Sequence, residues 1–139
     1  MKKLTLTLIA CLLSFNVFSE TNTAEKPVQH LIVENMASFS EAKKVFVEMT
    51  SDLKAKKALD TNELHQIHMI TYSLEKSLAF YAENLNGKAQ KLAEDMAVVV
   101  EEVHLASENN RQESTKNSLR EYFRLAEDFM PSIELSKFK

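Results

Sequence analysis

The chain has 139 residues, 27% of them charged, a formal net charge of −3 at pH 7, and only one glycine, two prolines and one cysteine. A single glycine excludes glycine-rich phosphate loops and dinucleotide-binding turns, which need several glycines at fixed spacing. The acidic excess argues against nucleic acid or an anionic lipid surface as a partner, and one cysteine excludes an internal disulfide.

The first nineteen residues have the pattern of a secretory signal peptide. Lys2 and Lys3 precede an uncharged, largely apolar run over residues 4–17, and the small residue Ser19 stands before Glu20. The run is too short to span a membrane. We therefore predict export to the periplasm with cleavage ahead of Glu20, which removes both lysines and lowers the net charge from −3 to −5. After cleavage we expect no membrane association.

Cys11 leaves a second interpretation open, because residues 8–11 resemble a lipoprotein processing site. The sequence continues apolar over residues 12–18, whereas a lipid-bearing cysteine normally ends the apolar region. This favours cleavage over anchoring. Cleavage ahead of Glu20 also removes the only cysteine, and with it any thiolate metal ligand or thiol nucleophile.

The remaining chain divides by its patterning into three parts. Residues 20–34 are polar and have no sustained apolar period, which predicts a mobile leader. Residues 35–131 carry strong helical periodicity and predict one domain, and residues 132–139 predict a loose tail. The scarcity of glycine and proline disfavours β and α/β folds, which need many tight turns.

The first two predicted helices have clear start signals. Ser38 and Glu41 match a capping box, and Asp60 is a good N-cap. Asn86 and Gly87 predict a left-handed cap at the end of the second helix. Apolar side chains recur every three or four residues in both helices: Phe39, Ala42, Phe46, Met49 and Leu53 in the first, and Leu64, Ile67, Thr71, Leu74, Leu78, Tyr81 and Leu85 in the second.

Two further stripes complete the pattern, and Pro131 is predicted to stop the last helix. Four amphipathic helices with short polar connections predict an all-α fold, an antiparallel up-down four-helix bundle. A three-helix bundle with a detached first helix is the alternative. The stripes consist of Ala89, Leu92, Met96, Val99, Val103 and Ala106 in the third helix, and Leu119, Tyr122, Phe123, Ala126, Phe129 and Met130 in the fourth.

Polar side chains with possible chemistry lie along one flank of each middle helix. They are His65, His68, Tyr72 and Glu75 on the second helix, and Glu101, His104 and Glu108 on the third. If the two helices form a hairpin that folds at residues 86–87, equal steps along each arm bring His68 level with His104. The same register places Tyr72 level with Glu101, and His65 level with Glu108.

Imidazole and carboxylate groups are the usual metal ligands in a protein without cysteine, so the candidate ligands are His65, His68, Glu75, Glu101 and His104. The Glu101-x-x-His104 spacing also occurs in di-iron bundles, but the second helix lacks the matching pair. The stripes place Glu101 and His104 toward solvent. This favours a structural polar seam between the helices, with metal or haem ligation by His68 and His104, or acid–base catalysis, as alternatives.

The exported b-type cytochromes offer one comparison, because they hold haem in a four-helix bundle with one methionine and one histidine. Met36 and His104 are the residues to consider for those roles. In that family, however, the histidine lies on the last helix, and the last predicted helix here has none. We therefore assign no cofactor and no catalytic residue from the sequence.

Two segments, residues 67–75 (IHMITYSLE) and residues 100–108 (VEEVHLASE), resemble a family of small exported helical proteins of Gram-negative bacteria that is known only as a domain of unknown function. The resemblance covers roughly the middle third of the chain and the signal. It implies a periplasmic helical protein, supplies no activity, and makes His68, Glu75 and His104 the first residues to test. We expect a non-enzymatic binding or structural module, and leave open whether its partner is another protein.

Overall fold

The computed structural model describes residues 31–136, so the predicted signal peptide, its Cys11 and most of the predicted leader lie outside the described residues. Four helices follow one another: α1 (Phe39–Ala55), α2 (Thr61–Asn84), α3 (Gly87–Glu108) and α4 (Gln112–Ser136). Residues 31–136 contain no strand. Each helix packs on the next along the chain, and the predicted all-α four-helix fold is confirmed.

The bundle closes through contacts between its first and last helices. The rings of Phe46 on α1 and Phe129 on α4 pack edge-to-face with centroids 5.3 Å apart. Thr50 and Tyr122 share a buried hydrogen bond, and Lys43 forms an ion pair with Glu134. Residues 43, 46 and 50 of α1 contact residues 134, 129 and 122 of α4, in that order. The two helices are therefore antiparallel. The alternative with a detached first helix is therefore wrong.

Both predicted N-caps are present. The side chain of Ser38 accepts a hydrogen bond from the Glu41 backbone N–H at 3.2 Å, and Oδ1 of Asp60 accepts one from the Glu63 N–H at 2.9 Å. The reciprocal bond of the first box is displaced by one residue, because the Glu41 carboxylate accepts from the N–H of Ala37. Each cap satisfies a backbone donor that has no partner within its helix.

Glu63 also organises the connection between α1 and α2. Its Oε2 accepts hydrogen bonds from three successive backbone N–H groups, those of Lys57, Ala58 and Leu59, at 2.9, 2.8 and 2.8 Å. Leu59 has a φ of +50°, which is uncommon for a residue with a side chain, and it is buried. Glu63 also stands in the first turn of α2, where a negative charge is favourable.

Gly87 has a φ of +58°, in the left-handed region predicted for it. Its position differs from the prediction, because α2 ends at Asn84 and Gly87 begins α3. Only Leu85 and Asn86 therefore connect the two helices, which makes the hairpin tight and fixes the register between them.

The fourth helix differs most from the prediction. It begins at Gln112, about two turns before Leu119, and continues through Pro131 to Ser136. The prediction that Pro131 ends this helix is wrong, and residues 132–136 are not a loose tail. Pro131 lies on the exposed side, while Ile133 is 2% exposed in the hydrophobic core. The free energy gained by burying Ile133 offsets the free energy lost with the backbone hydrogen bond that a proline removes from a helix.

The core is continuous through the bundle. No helix within residues 31–136 is long and apolar enough to cross a membrane. The largest fully buried side chains come from all four helices and are those of Phe46, Leu53, Ile67, Leu74, Leu78, Tyr81, Met96, Val100, Val103, Tyr122, Phe129 and Ile133.

Candidate functional site

The α2–α3 hairpin brings His68 and His104 together as its register predicts. Their ring centroids are 4.7 Å apart, and the ring of Tyr72 packs edge-on against His104 with a centroid distance of 4.9 Å. His68 is 3% exposed and His104 is 7% exposed. Three polar rings therefore stack inside the interface between the two central helices.

The depth of His104 corrects the sequence analysis, which placed both Glu101 and His104 toward solvent. Glu101 is exposed, but His104 is buried. The reason is that His104 faces the polar flank of α2, where His68, Tyr72 and Glu75 contact its ring. Ala93 and Val100, which also lie outside the predicted apolar stripe of α3, are buried as well.

Hydrogen bonds determine the orientation of the His104 ring. Its Nδ1 lies 2.9 Å from Oε1 of Glu75 and 3.1 Å from Oγ1 of Thr71. The Thr71 hydroxyl donates its only proton to the backbone carbonyl of His68, at 2.6 Å, and an ionised Glu75 carboxylate only accepts. Nδ1 of His104 therefore carries a proton and donates to both oxygens.

A second polar contact joins the remaining members of the cluster. Nε2 of His68 and the hydroxyl oxygen of Tyr72 are 3.0 Å apart. Burial raises the pKa of the Tyr72 phenol, and the negative charges of Glu108 and Glu75 raise it further, while a hydrogen bond with the Leu31 backbone acts in the opposite direction. Tyr72 is therefore neutral at pH 7 and acts as a hydrogen-bonding group beside His68.

Three of the five candidate ligands form a compact group. Glu75, Glu101 and His104 each offer one ligand atom, and these atoms all lie within 4.8 Å of one another. Ligand atoms roughly 2.0–2.2 Å from a tetrahedral zinc ion are themselves about 3.3 to 3.6 Å apart. The 2.9 Å contact between Oε1 of Glu75 and Nδ1 of His104 is somewhat shorter than that spacing. A metal ion bound there would take the place of the proton on Nδ1, because a histidine nitrogen must be unprotonated to bind a metal.

The other candidates take different positions. His65 is exposed, and its ring contacts His68 edge-on at a centroid distance of 6.3 Å. His68 is in ring contact with His104 but outside the group of three ligand atoms. Met36, considered for haem, packs against the hydrophobic core. Thr71 is the member that the sequence missed, because its position in the apolar stripe of α2 concealed its hydroxyl, which points at the third helix.

A family model for a family of unknown function, DUF6746, matches residues 1–131. The chain belongs to this family. Comparison with curated proteins found no match, and comparison with solved structures found none either. Membership of DUF6746 agrees with the resemblance to a domain of unknown function and adds no activity, so any function for this DUF6746 chain is argued from its own geometry. Gram-negative origin and export stay predictions.

Proposed function

We propose that the protein is an exported, non-catalytic binding module that holds one divalent transition-metal ion between α2 and α3. Glu75, Glu101 and His104 are the ligands. The observation that carries the proposal is the grouping of their three ligand atoms within 4.8 Å, with one of them on a histidine that is 7% exposed.

The donor set suits this class of ion. One imidazole and two carboxylates are typical of zinc, iron(II) and manganese sites, and the two negative charges balance a dication. A site with three protein ligands leaves at least one coordination position for water or for a ligand of the metal. The rings of His68 and Tyr72 pack on His104 and hold its ring in place, as residues around a metal ligand commonly do.

A purely structural role for the same residues is the second candidate function. It is supported by the hydrogen bonds from Nδ1 of His104 to Glu75 and Thr71, which satisfy this buried nitrogen without any ion. The two functions differ in what they require of Glu101. This residue is exposed, so a structural seam needs little from it, whereas a three-ligand site needs its carboxylate.

The decisive experiment is calorimetric titration of the purified protein with Zn²⁺, and then with Mn²⁺, before and after Glu101→Gln. We expect one high-affinity ion per chain in the parent, and an affinity about tenfold or more weaker in Glu101→Gln. Without metal, the melting temperature of the variant should equal that of the parent. With Zn²⁺, the parent alone should gain thermal stability, because binding to the folded state stabilises it.

Glu94→Gln is the matched control, because Glu94 is also exposed on α3 and the substitution removes the same charge. This variant should bind Zn²⁺ as the parent does. Absence of stoichiometric binding in the parent, or equal affinities in Glu101→Gln and Glu94→Gln, would overturn the metal proposal and favour the structural seam.

Export is the other part of the proposal, and it is supported by the Lys2-Lys3 start and the uncharged apolar run over residues 4–17. Mass spectrometry of the mature N-terminus tests it. We expect a chain that begins at Glu20 or within a few residues of it and carries no lipid. A diacylated Cys11 would instead establish membrane anchoring, and a cytoplasmic chain that retains Met1 would refute export.

A further inference from the structure

A long groove runs between α1 and α4, on the side of the bundle away from the α2–α3 cluster. It consists of two cavities: one of about 720 Å³ beside the α1–α2 connection, and one of about 530 Å³ beside Pro131. Lys54 lines both cavities, so they form one continuous surface. Each volume lies in the range of small-molecule sites in proteins.

The first cavity is strongly basic. Five cationic side chains and only one carboxylate line it, although the whole chain carries a net charge of −3. Such a local excess attracts anions despite the overall acidity of the protein. Beneath the charges lie apolar side chains, and the Lys54 ammonium lies 5.7 Å from the centre of the Phe123 ring. The cations are Lys54, Lys56, Lys57, Lys116 and Arg120, and the carboxylate is Glu113.

The second cavity is mainly apolar. Phe46 and Val47 of α1 line one wall, and Ala126, Met130 and Pro131 of α4 line the other. The polar residues of this cavity are Thr50, Ser51, Lys54 and Glu127. Val47 is 46% exposed, so apolar surface here is open to solvent. From Lys54 to Val47 the groove follows α1 for about two turns, roughly 10 Å.

We infer that this groove binds a single-chain anionic amphiphile, with its carboxylate or phosphate head among the lysines and its apolar chain along the second cavity. The basic cavity is followed along the groove by the apolar cavity, just as the anionic head of such a molecule is followed by its apolar chain. A free inorganic anion would leave the apolar cavity unused. An extended acidic peptide would place backbone N–H and C=O groups against apolar walls without hydrogen-bond partners, which is costly.

The inference goes beyond the metal proposal and is tested on metal-free protein in the presence of a chelator. The probes are dodecanoate, dodecyltrimethylammonium and acetate, each below any micelle-forming concentration, in calorimetric titrations. We expect dodecanoate to bind with one-to-one stoichiometry and the cation with the same chain to bind about tenfold or more weakly. Acetate should give no measurable heat, and added salt should weaken dodecanoate binding.

Two charge-matched triple variants locate the site. Lys57→Gln, Lys116→Gln and Arg120→Gln together should weaken dodecanoate binding about tenfold or more. The control removes three exposed cations outside the groove, by Lys44→Gln, Lys88→Gln and Lys91→Gln, and should bind as the parent does.

Three results would overturn the inference. They are equal affinities in the two triple variants, equal affinities for the anionic and cationic chains, and binding of acetate as strong as that of dodecanoate. A loss of Zn²⁺ binding in Glu101→Gln leaves these outcomes unaffected, so the two proposals fail independently.

Discussion

The hydroxyl oxygens of Thr50 on α1 and Tyr122 on α4 lie 2.6 Å apart inside the bundle, and form a buried hydrogen bond between the first and last helices. Burial raises the pKa of the Tyr122 phenol, against a smaller opposing effect of this bond. Ring packing, a surface ion pair and the contact of Lys54 with the Phe123 ring also join α1 and α4, but the Thr50–Tyr122 pair is a buried polar contact.

We expect Tyr122→Phe to lower the free energy of unfolding by about 1–3 kcal/mol, because it leaves the Thr50 hydroxyl buried without this partner. Thr50→Val should cost a similar amount for the reciprocal reason. The double variant should lose less than the two single losses combined, since it leaves neither group unpaired. Urea denaturation of the three variants measures this, and additive losses would show that the hydroxyls do not interact.

Tyr81 provides the opposite case for the same substitution. It is 0% exposed, and its hydroxyl has no hydrogen-bond partner among the described residues. Tyr81→Phe removes an unsatisfied polar atom and keeps the ring, which packs on Phe129 at a centroid distance of 5.2 Å. We expect this variant to be as stable as the parent or more stable in urea denaturation. A loss as large as that of Tyr122→Phe would reveal a partner for the Tyr81 hydroxyl.

The same residue predicts an alkaline signature. Burial raises the pKa of Tyr81 to about 12, whereas its value in the unfolded chain is about 10. Below pH 10 the Tyr81 phenol is protonated in both the folded and the unfolded chain, so its ionisation does not reduce the free energy of unfolding there. As pH rises from about 10 to 12 the unfolded chain ionises first, and stability falls. Melting temperatures across this range should fall more steeply in the parent than in Tyr81→Phe, and parallel curves would contradict the raised pKa.

Two apolar residues beyond Pro131 test the course of the fourth helix. Ile133 is 2% exposed and Leu135 is 72% exposed. Ile133→Ala should lower the free energy of unfolding by about 2–5 kcal/mol. Leu135→Ala removes apolar atoms from the same turn and should change it by less than about 0.5 kcal/mol. If Ile133→Ala were as harmless as its control, the segment after Pro131 would not be packed.

Core positions on the central hairpin give a further stability test. Leu74 is 0% exposed, so Leu74→Ala should lower the free energy of unfolding by about 2–5 kcal/mol. Val99 is smaller and 8% exposed, so Val99→Ala should lower it by less. Lys88→Ala, at an exposed site, should change little. Thermal melting followed by circular dichroism reports all three, and an unchanged melting temperature for Leu74→Ala would refute the assigned core.

The helices that were easiest to predict begin at residues with a local chemical signal. Ser38 and Asp60 cap α1 and α2 as predicted, because a side-chain oxygen next to free backbone donors acts locally. The start of α4 has no such signal. Residues 112–118 are all polar, so no apolar stripe marks the first two turns of the helix. The one fully buried residue among them is Thr115, which is itself polar. Packing, not local pattern, extends this helix in both directions.

For the candidate site, the register could be predicted but the depth could not. A connection of only Leu85 and Asn86 fixes which residues of α2 and α3 lie level, so the pairing of His68 with His104 followed from counting along the hairpin. The burial of His104 depends instead on which side chains of α2 cover its ring, and these are His68, Tyr72 and Glu75. The apolar stripe of α3 does not contain that information, because the side chains that cover His104 belong to another helix and lie outside the apolar stripe of that helix.

The three hydrogen bonds accepted by Glu63 have a consequence for recognition in the neighbouring basic cavity. They hold Lys57, Ala58 and Leu59 in a fixed backbone path, and these same residues form one wall of the basic cavity. The wall loses its conformational freedom when the chain folds, so a guest that arrives later meets a preorganised surface and need not order it. The half-buried carboxylate of Glu63, in the first turn of α2, thus makes rigid a cavity wall that it does not itself line.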